Sequence, residues 1–500
     1  MRPIEILSGV AIGAALLMGG ATQKGSVSDD FVQLCCLPLL ALALHGYLTA
    51  RVRCGWPLIA TLVILATPML QLIALPPALW MALPGRAAVA DTFHSADLTP
   101  PWLGVTISQW ATTRAVFALL PPVAIFLGVR ACAEQERRRL AWIIVAIGLA
   151  NVFLEVVQIV QGPDSAFRFY AVTNREVGVG FFANRNHAAA FLYSSLLMLV
   201  VALPRSAAGG RGYRIAISLG FALTVWLGLM MTGSRSALLI GAVSTVALFA
   251  LGIWGGIPQL AGARATAGLV GGAFVAVSGA LLTAFGLSGI LGRFGEDAII
   301  SDARWPVARI SLRAAEAFFP FGSGLGTFER VYPLFVETSA ILPATVNHAH
   351  NDLIEIVVET GAAGVMLILG AAVLIVSCGR RGFRERNVEG ARVRLAALLV
   401  VMMLLAHSLW DYPLRASANA AVFAYCCAIL FAVARPDDRG AAELARGGKA
   451  EAPRRPWRRP TDPTEGQGPR DVTRSDGVRR RRRITKSGSA DGSRVLSEDR

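Results

Sequence analysis

Apolar residues along the chain gather in long blocks separated by short polar stretches. Blocks of spanning length recur at roughly 4–20, 31–50, 56–75, 112–131, 140–160, 187–204, 213–232, 236–254, 265–290, 353–378, 393–410 and 416–434. Each is near the ~20 residues that a helix needs to cross a ~30 Å hydrocarbon layer. The pattern predicts an all-α, polytopic membrane protein with about twelve transmembrane helices. The first block follows Met1-Arg2 without a clear small-residue cleavage site, so it is expected to be a retained helix.

Two regions break the rhythm. Residues 290–352 form one long non-spanning loop. Within it, 303–318 has the period of an amphipathic helix, with Val307, Ile310, Ala314 and Phe318 on one face and Arg304, Arg309 and Arg313 elsewhere. From about Arg435 the chain turns to Arg, Gly, Pro, Asp and Ser, with a run of five arginines at Arg479–Arg483. That composition cannot supply a core, so 435–500 is expected to be a disordered cytoplasmic tail. The expected organisation is a membrane domain over 1–434, with a core at about 110–434, followed by the tail.

Composition agrees with this organisation. Hydrophobic residues make up 54% of the 500 and charged ones only 16%. This excludes a soluble enzyme and a disordered scaffold. The formal charge is +15, of which the tail holds +7, from 18 Lys+Arg against 11 Asp+Glu. The remainder lies in alternate loops: Arg51/Arg53, Arg130 with Arg137–Arg139, Arg205/Arg211/Arg214, Arg264, and 380–394. The positive-inside rule places these loops and both termini in the cytoplasm. The opposite face, the periplasm of a bacterium with two membranes, receives 76–111, 161–186, 232–235, 290–352 and 408–415. Such charge asymmetry accounts for the basic character without nucleic acid as a partner. The seven cysteines lie in apolar blocks or beside basic loops, which argues against a disulfide framework.

Four polar clusters fall on the non-cytoplasmic side. In the first, Asn184-Arg185-Asn186-His187, either Asn suits a helix N-cap. Arg185 opposes the helix dipole unless an anion shares the site. The second, Gly233-Ser234-Arg235-Ser236, reads as a tight turn with a snorkelling Arg or as a second anion site. Two guanidiniums suit a pyrophosphate, which offers several bidentate contacts. The third is Asn347-His348-Ala349-His350-Asn351-Asp352, followed by Glu355, Glu359 and Gly361. Asn351 or Asp352 can cap the next helix, with Asp352 and Glu355 resembling a capping box. The two histidines suit a general base, either His348 or His350. The H-x-H-x-D spacing also occurs among metal ligands, but the chain has only four other histidines; no metal or cofactor is expected. The fourth, His407 to Arg415, is a Pro-stopped helix end in which Asp411 can orient a His or bind a sugar hydroxyl. The glycines of Gly322-Ser-Gly324-Leu-Gly326 follow no strand, so a nucleotide site is not expected.

Taken in order, Asn184–Asn186, Gly233–Ser236, Gly324-Leu-Gly326-Thr-Phe328, His350-Asn351, Glu359-x-Gly361 and His407…Asp411-x-Pro413 resemble the O-antigen ligase/polymerase superfamily of bacterial membrane glycosyltransferases. The resemblance covers roughly 110–434. It implies a polyprenyl-pyrophosphate-linked glycan donor used at the periplasmic face of the inner membrane. The acceptor it implies is a glycan or lipid A-core, as in O-antigen ligases and exopolysaccharide or O-antigen polymerases. By the same resemblance Arg185 and Arg235 hold the pyrophosphate and His350 acts on the acceptor hydroxyl. Asn184, Asn186, Ser234, His348, Asn351 and Asp411 are then expected to line the substrate site. The competing reading is a polysaccharide transporter or flippase without catalysis. It predicts ionisable residues near the membrane midplane rather than at one surface.

Overall fold

The computed structural model describes residues 2–22, 25–49, 52, 55–204, 210–253, 304–337, 345–384 and 388–432. The expected span at 265–290, part of the 290–352 loop and the tail beyond 432 lie outside the described residues. Among the described residues the fold is all-α, with one isolated β-bridge between Leu75 and Leu103. In chain order the helices are α1 (Pro3–Met18), α2 (Val27–Leu48), α3 (Trp56–Gln71), α4 (Pro77–Trp80), α5 (Ala87–Ser95), α6 (Gln109–Ala118), α7 (Leu120–Ala131), α8 (Glu134–Gln161), α9 (Arg185–Ala202), α10 (Gly210–Thr232), α11 (Arg235–Ile253), α12 (304–318), α13 (Phe328–Val331), α14 (Asp352–Thr360), α15 (Ala362–Arg384), α16 (Val388–His407) and α17 (Ser417–Leu430).

Among the described residues, seven helical stretches are long and apolar enough to cross a membrane, with α6 and α7 counted together; α1, α3 and α17 are shorter apolar helices. α9 lies at the centre, packed on α8, α10, α11, α16 and α17, and every residue from His187 to Ala202 is buried. A helix that never meets lipid can carry His187, Ser194 and Ser195, which a peripheral helix would expose to hydrocarbon at a cost. α15 is the contrast: Met366, Leu369, Val373 and Val376 point outward, as on a lipid-facing helix.

The expected span at 353–378 is corrected. The chain breaks at Gly361, whose φ is +58°, dividing α14 from α15. A Cβ there would sit 2.1 Å from the Pro320 carbonyl oxygen, so the position accepts only glycine without strain. The apolar stretch of spanning length is Ala362–Arg384. α14 is a nine-residue helix that buries Asp352, Glu355 and Glu359 against loops rather than lipid. The 304–318 helix forms as its periodicity predicted, with Val307, Ile310, Ala314 and Phe318 buried against Phe328, Val331 and Val358.

One end of the bundle is basic and ion-paired. Arg139 binds Glu5 at 2.5 Å, Arg138 reaches Glu134 at 2.8 Å and Glu389 at 3.0 Å, and Arg392 meets Glu389 at 2.6 Å. Arg138 also donates to the Val201 carbonyl at the end of α9, and Arg392 to that of Leu251 near the end of α11. Both helices begin at the opposite end, with Arg185 and Arg235.

Candidate functional site

That opposite end gathers all four polar clusters. Asn184 caps α9, its Oδ1 accepting from the Asn186 amide at 2.7 Å; the Arg185 amide donates to Asn174 Oδ1 at 2.9 Å. Two amides that an anion would otherwise use are thus committed, so anion binding at α9 falls to the Arg185 side chain and the helix dipole. Arg235 opens α11 after the turn at Gly233 (φ +60°). The next residue, Ser236, has its hydroxyl 3.3 Å from His407 Nε2, and Ser234 is buried beside it. The other imidazole nitrogen of His407 lies 3.1 Å from the Tyr193 hydroxyl on α9.

The His348–Asp352 segment folds onto the turn after α16. Asn351 caps α14 by accepting from the Leu353 and Ile354 amides, and donates to the Leu409 carbonyl at 3.1 Å. Asp352 accepts from the Ser408 hydroxyl at 2.8 Å. The expected capping box does not form. Glu355 instead turns back to His348 Nδ1 at 2.8 Å and to the Ala349 amide at 2.9 Å. A carboxylate only accepts, so His348 carries its proton on Nδ1. His350 takes a left-handed backbone (φ +50°) that points its half-buried ring toward Asp411, with Nδ1 3.6 Å from Oδ1. That distance is longer than a hydrogen bond.

Arg415 was read in the sequence only as the end of the last cluster, yet it organises this floor. Its guanidinium reaches Asp352 at 3.3 Å, Glu355 at 3.3 Å and Glu359 at 3.1 Å, residues one and two turns apart on one face of α14. Burial would lower its pKa, but the three carboxylates raise it. Asp352 is pushed up to about 7 by burial, against the pull of Arg415. Burial acts the same way on Asp411, but His350, His187 and His407 around it hold its carboxyl below the usual range. Arg304, opening α12, comes within electrostatic range of His407, and its buried Nε has no hydrogen-bond partner among the described residues. The only sequence signal for it was its place off the apolar face of that helix.

The Gly-rich segment is a structural joint. Cβ atoms at Gly322 and Gly324 would lie 2.4 Å from the Glu359 carbonyl oxygen and 2.1 Å from Thr106 Oγ1. The close approach lets Gln71 bond the Glu359 carbonyl at 2.9 Å and the Leu325 amide at 2.9 Å, and the Ile107 amide bond the Ser323 carbonyl at 2.9 Å. Glycine here brings loops together and holds Glu359 in place.

Residues 219–369 match the O-antigen ligase family. This agrees with the resemblance carried by the ordered motifs. The matched segment holds the Arg235 turn, the Gly-rich joint, both histidines of the His-Ala-His and the carboxylates of α14. Asn184–Arg185 and Asp411–Arg415 lie outside it and join it in space. Comparison with curated proteins finds no match.

Proposed function

We propose that the protein is a membrane glycosyltransferase of the O-antigen ligase/polymerase type. It moves a polyprenyl-pyrophosphate-linked glycan onto an acceptor hydroxyl at the periplasmic face of the inner membrane. The observation that carries this reading is the convergence of Arg185, Arg235, His350 and Asp411 at the end of the bundle away from the basic loops. The anomeric carbon–oxygen bond to the pyrophosphate breaks as the acceptor oxygen bonds to that carbon. Negative charge grows on the leaving pyrophosphate, where guanidiniums stabilise it through bidentate contacts. His350 takes the acceptor proton, and the Asp411 carboxylate beside it stabilises the imidazolium that results.

The chemistry is common to lipid A-core ligation and repeat-unit polymerisation, which differ in the acceptor. The test is envelope glycan analysis in a deletion strain complemented with wild type or with His350→Ala. Restoration by wild type alone, at matched membrane expression, supports the reading. Equal restoration by His350→Ala rejects His350 as the base. A wild-type glycan profile in the deletion strain rejects the transferase itself.

A further inference from the structure

Three imidazoles pack around a single aromatic ring. The Tyr412 ring centroid lies 4.1 Å from that of His348, 5.2 Å from that of His350 and 4.9 Å from that of His187. The ring is only 5% exposed. His187 lies in the first turn of α9, where Arg185 sits, and His348 and His350 lie in the loop that leads into α14, so the ring touches both. Asp411 precedes it in the chain. The neighbouring His187 is fully buried and neither ring nitrogen is hydrogen-bonded among the described residues, so packing orients it, the edge-on Tyr412 ring included.

We infer that Tyr412 is the positioning residue that fixes the separation between the anion-binding head of α9 and the His-Ala-His loop. This rests on the transferase reading for its consequence, because in-line transfer requires the leaving group and the acceptor's base to be held in one geometry. A misplacement of ~1 Å at such a centre costs on the order of 10²-fold in rate. The ring sets the packing of the imidazoles.

The test uses the purified full-length protein in detergent with histidine rings carrying ¹³C at Cε1, as wild type, Tyr412→Phe and Tyr412→Leu. Tyr412→Leu removes the ring. It is expected to move the His187, His348 and His350 signals, while His45 and His94, outside the cluster, stay in place. With a polyprenyl-pyrophosphate-linked oligosaccharide as donor, its kcat should fall about tenfold or more while KM for the donor stays within about twofold. Tyr412→Phe keeps the ring and its three imidazole contacts, so it should melt with the wild type and restore both the signals and most of kcat. Unmoved His348 and His350 signals in Tyr412→Leu overturn the inference, whatever the rate. So does a Tyr412→Phe that loses kcat with its histidine signals in place, because the ring is then not what positions the site. Should the wild type transfer no glycan, the transferase reading fails by itself, and the histidine signals still decide the role of Tyr412.

Discussion

At Arg415 three carboxylates share one guanidinium, so losing the cation leaves buried negative charge uncompensated. Breaking such a cluster costs about 3–5 kcal/mol. Arg415→Met is expected to unfold at distinctly lower denaturant or temperature than wild type, and Glu359→Gln in the same background should recover part of the loss. No recovery would show that the cluster is not held by charge. Asp352 gives the cluster a pH signature. Its pKa is raised from 3.8 to about 7 in the fold, so the native state binds more protons than the unfolded chain between those values. Stability therefore falls as pH rises through this window. Asp352→Asn removes the titration and should flatten the fall. Melting curves at pH 5 and pH 8 check it, and parallel shifts in both proteins would refute it. At the reacting end, Arg185→Lys and Arg235→Lys keep the charge but lose the planar fork. Each is expected to retain membrane expression yet transfer glycan at a small fraction of the wild-type rate, and full activity in either would remove that residue from the leaving-group site.

Among the elements, the caps were legible in the sequence and the partners were not. Asn184 and Asn351 are N-caps because their side chains suit orphan helix amides, a local rule that sequence carries. The 304–318 helix was legible because periodicity alone sets its buried face. Glu355 was misread as a capping residue, since its actual partners, His348 and Arg415, lie in segments whose approach is set by tertiary packing. The break at Gly361 was hidden for a related reason. Hydropathy runs through it, and only the Pro320 carbonyl pressing on the glycine reveals why the helix cannot continue. Gly361→Ala forces a Cβ onto that oxygen in a positive-φ backbone. It is expected to lower stability by about 1 kcal/mol or more; an unchanged melting temperature would mean that α14 and α15 can merge. Tyr412 and Arg304 carried no sequence signal strong enough to single them out, because each acts through neighbours far away in the chain.

For the whole molecule, the separation of the two ends decides what the site can meet. α9 and α11 start among the histidines and finish under Arg138 and Arg392, so the site and the basic ion-paired face are a bundle length apart. Basic residues are retained on the cytoplasmic side during insertion. The face with His350 and Asp411 is therefore expected to open on the periplasm. Charge placement of this kind argues against a transporter, whose ionisable groups would gather at mid-depth between helices. Reporter fusions test the orientation. A fusion after Arg384, at the end of α15, should score cytoplasmic, and one inserted after Trp410, between α16 and α17, should score periplasmic. The reverse pattern would place the site in the cytoplasm and remove the chemical rationale for a lipid-pyrophosphate donor there. A fusion after Arg439 should agree with the first, because α17 returns the chain to the basic side. Truncation at about 440 should leave that topology and glycan transfer intact, since every residue of the site precedes it. A well-expressed truncation without glycan product would show that the tail takes part in the reaction.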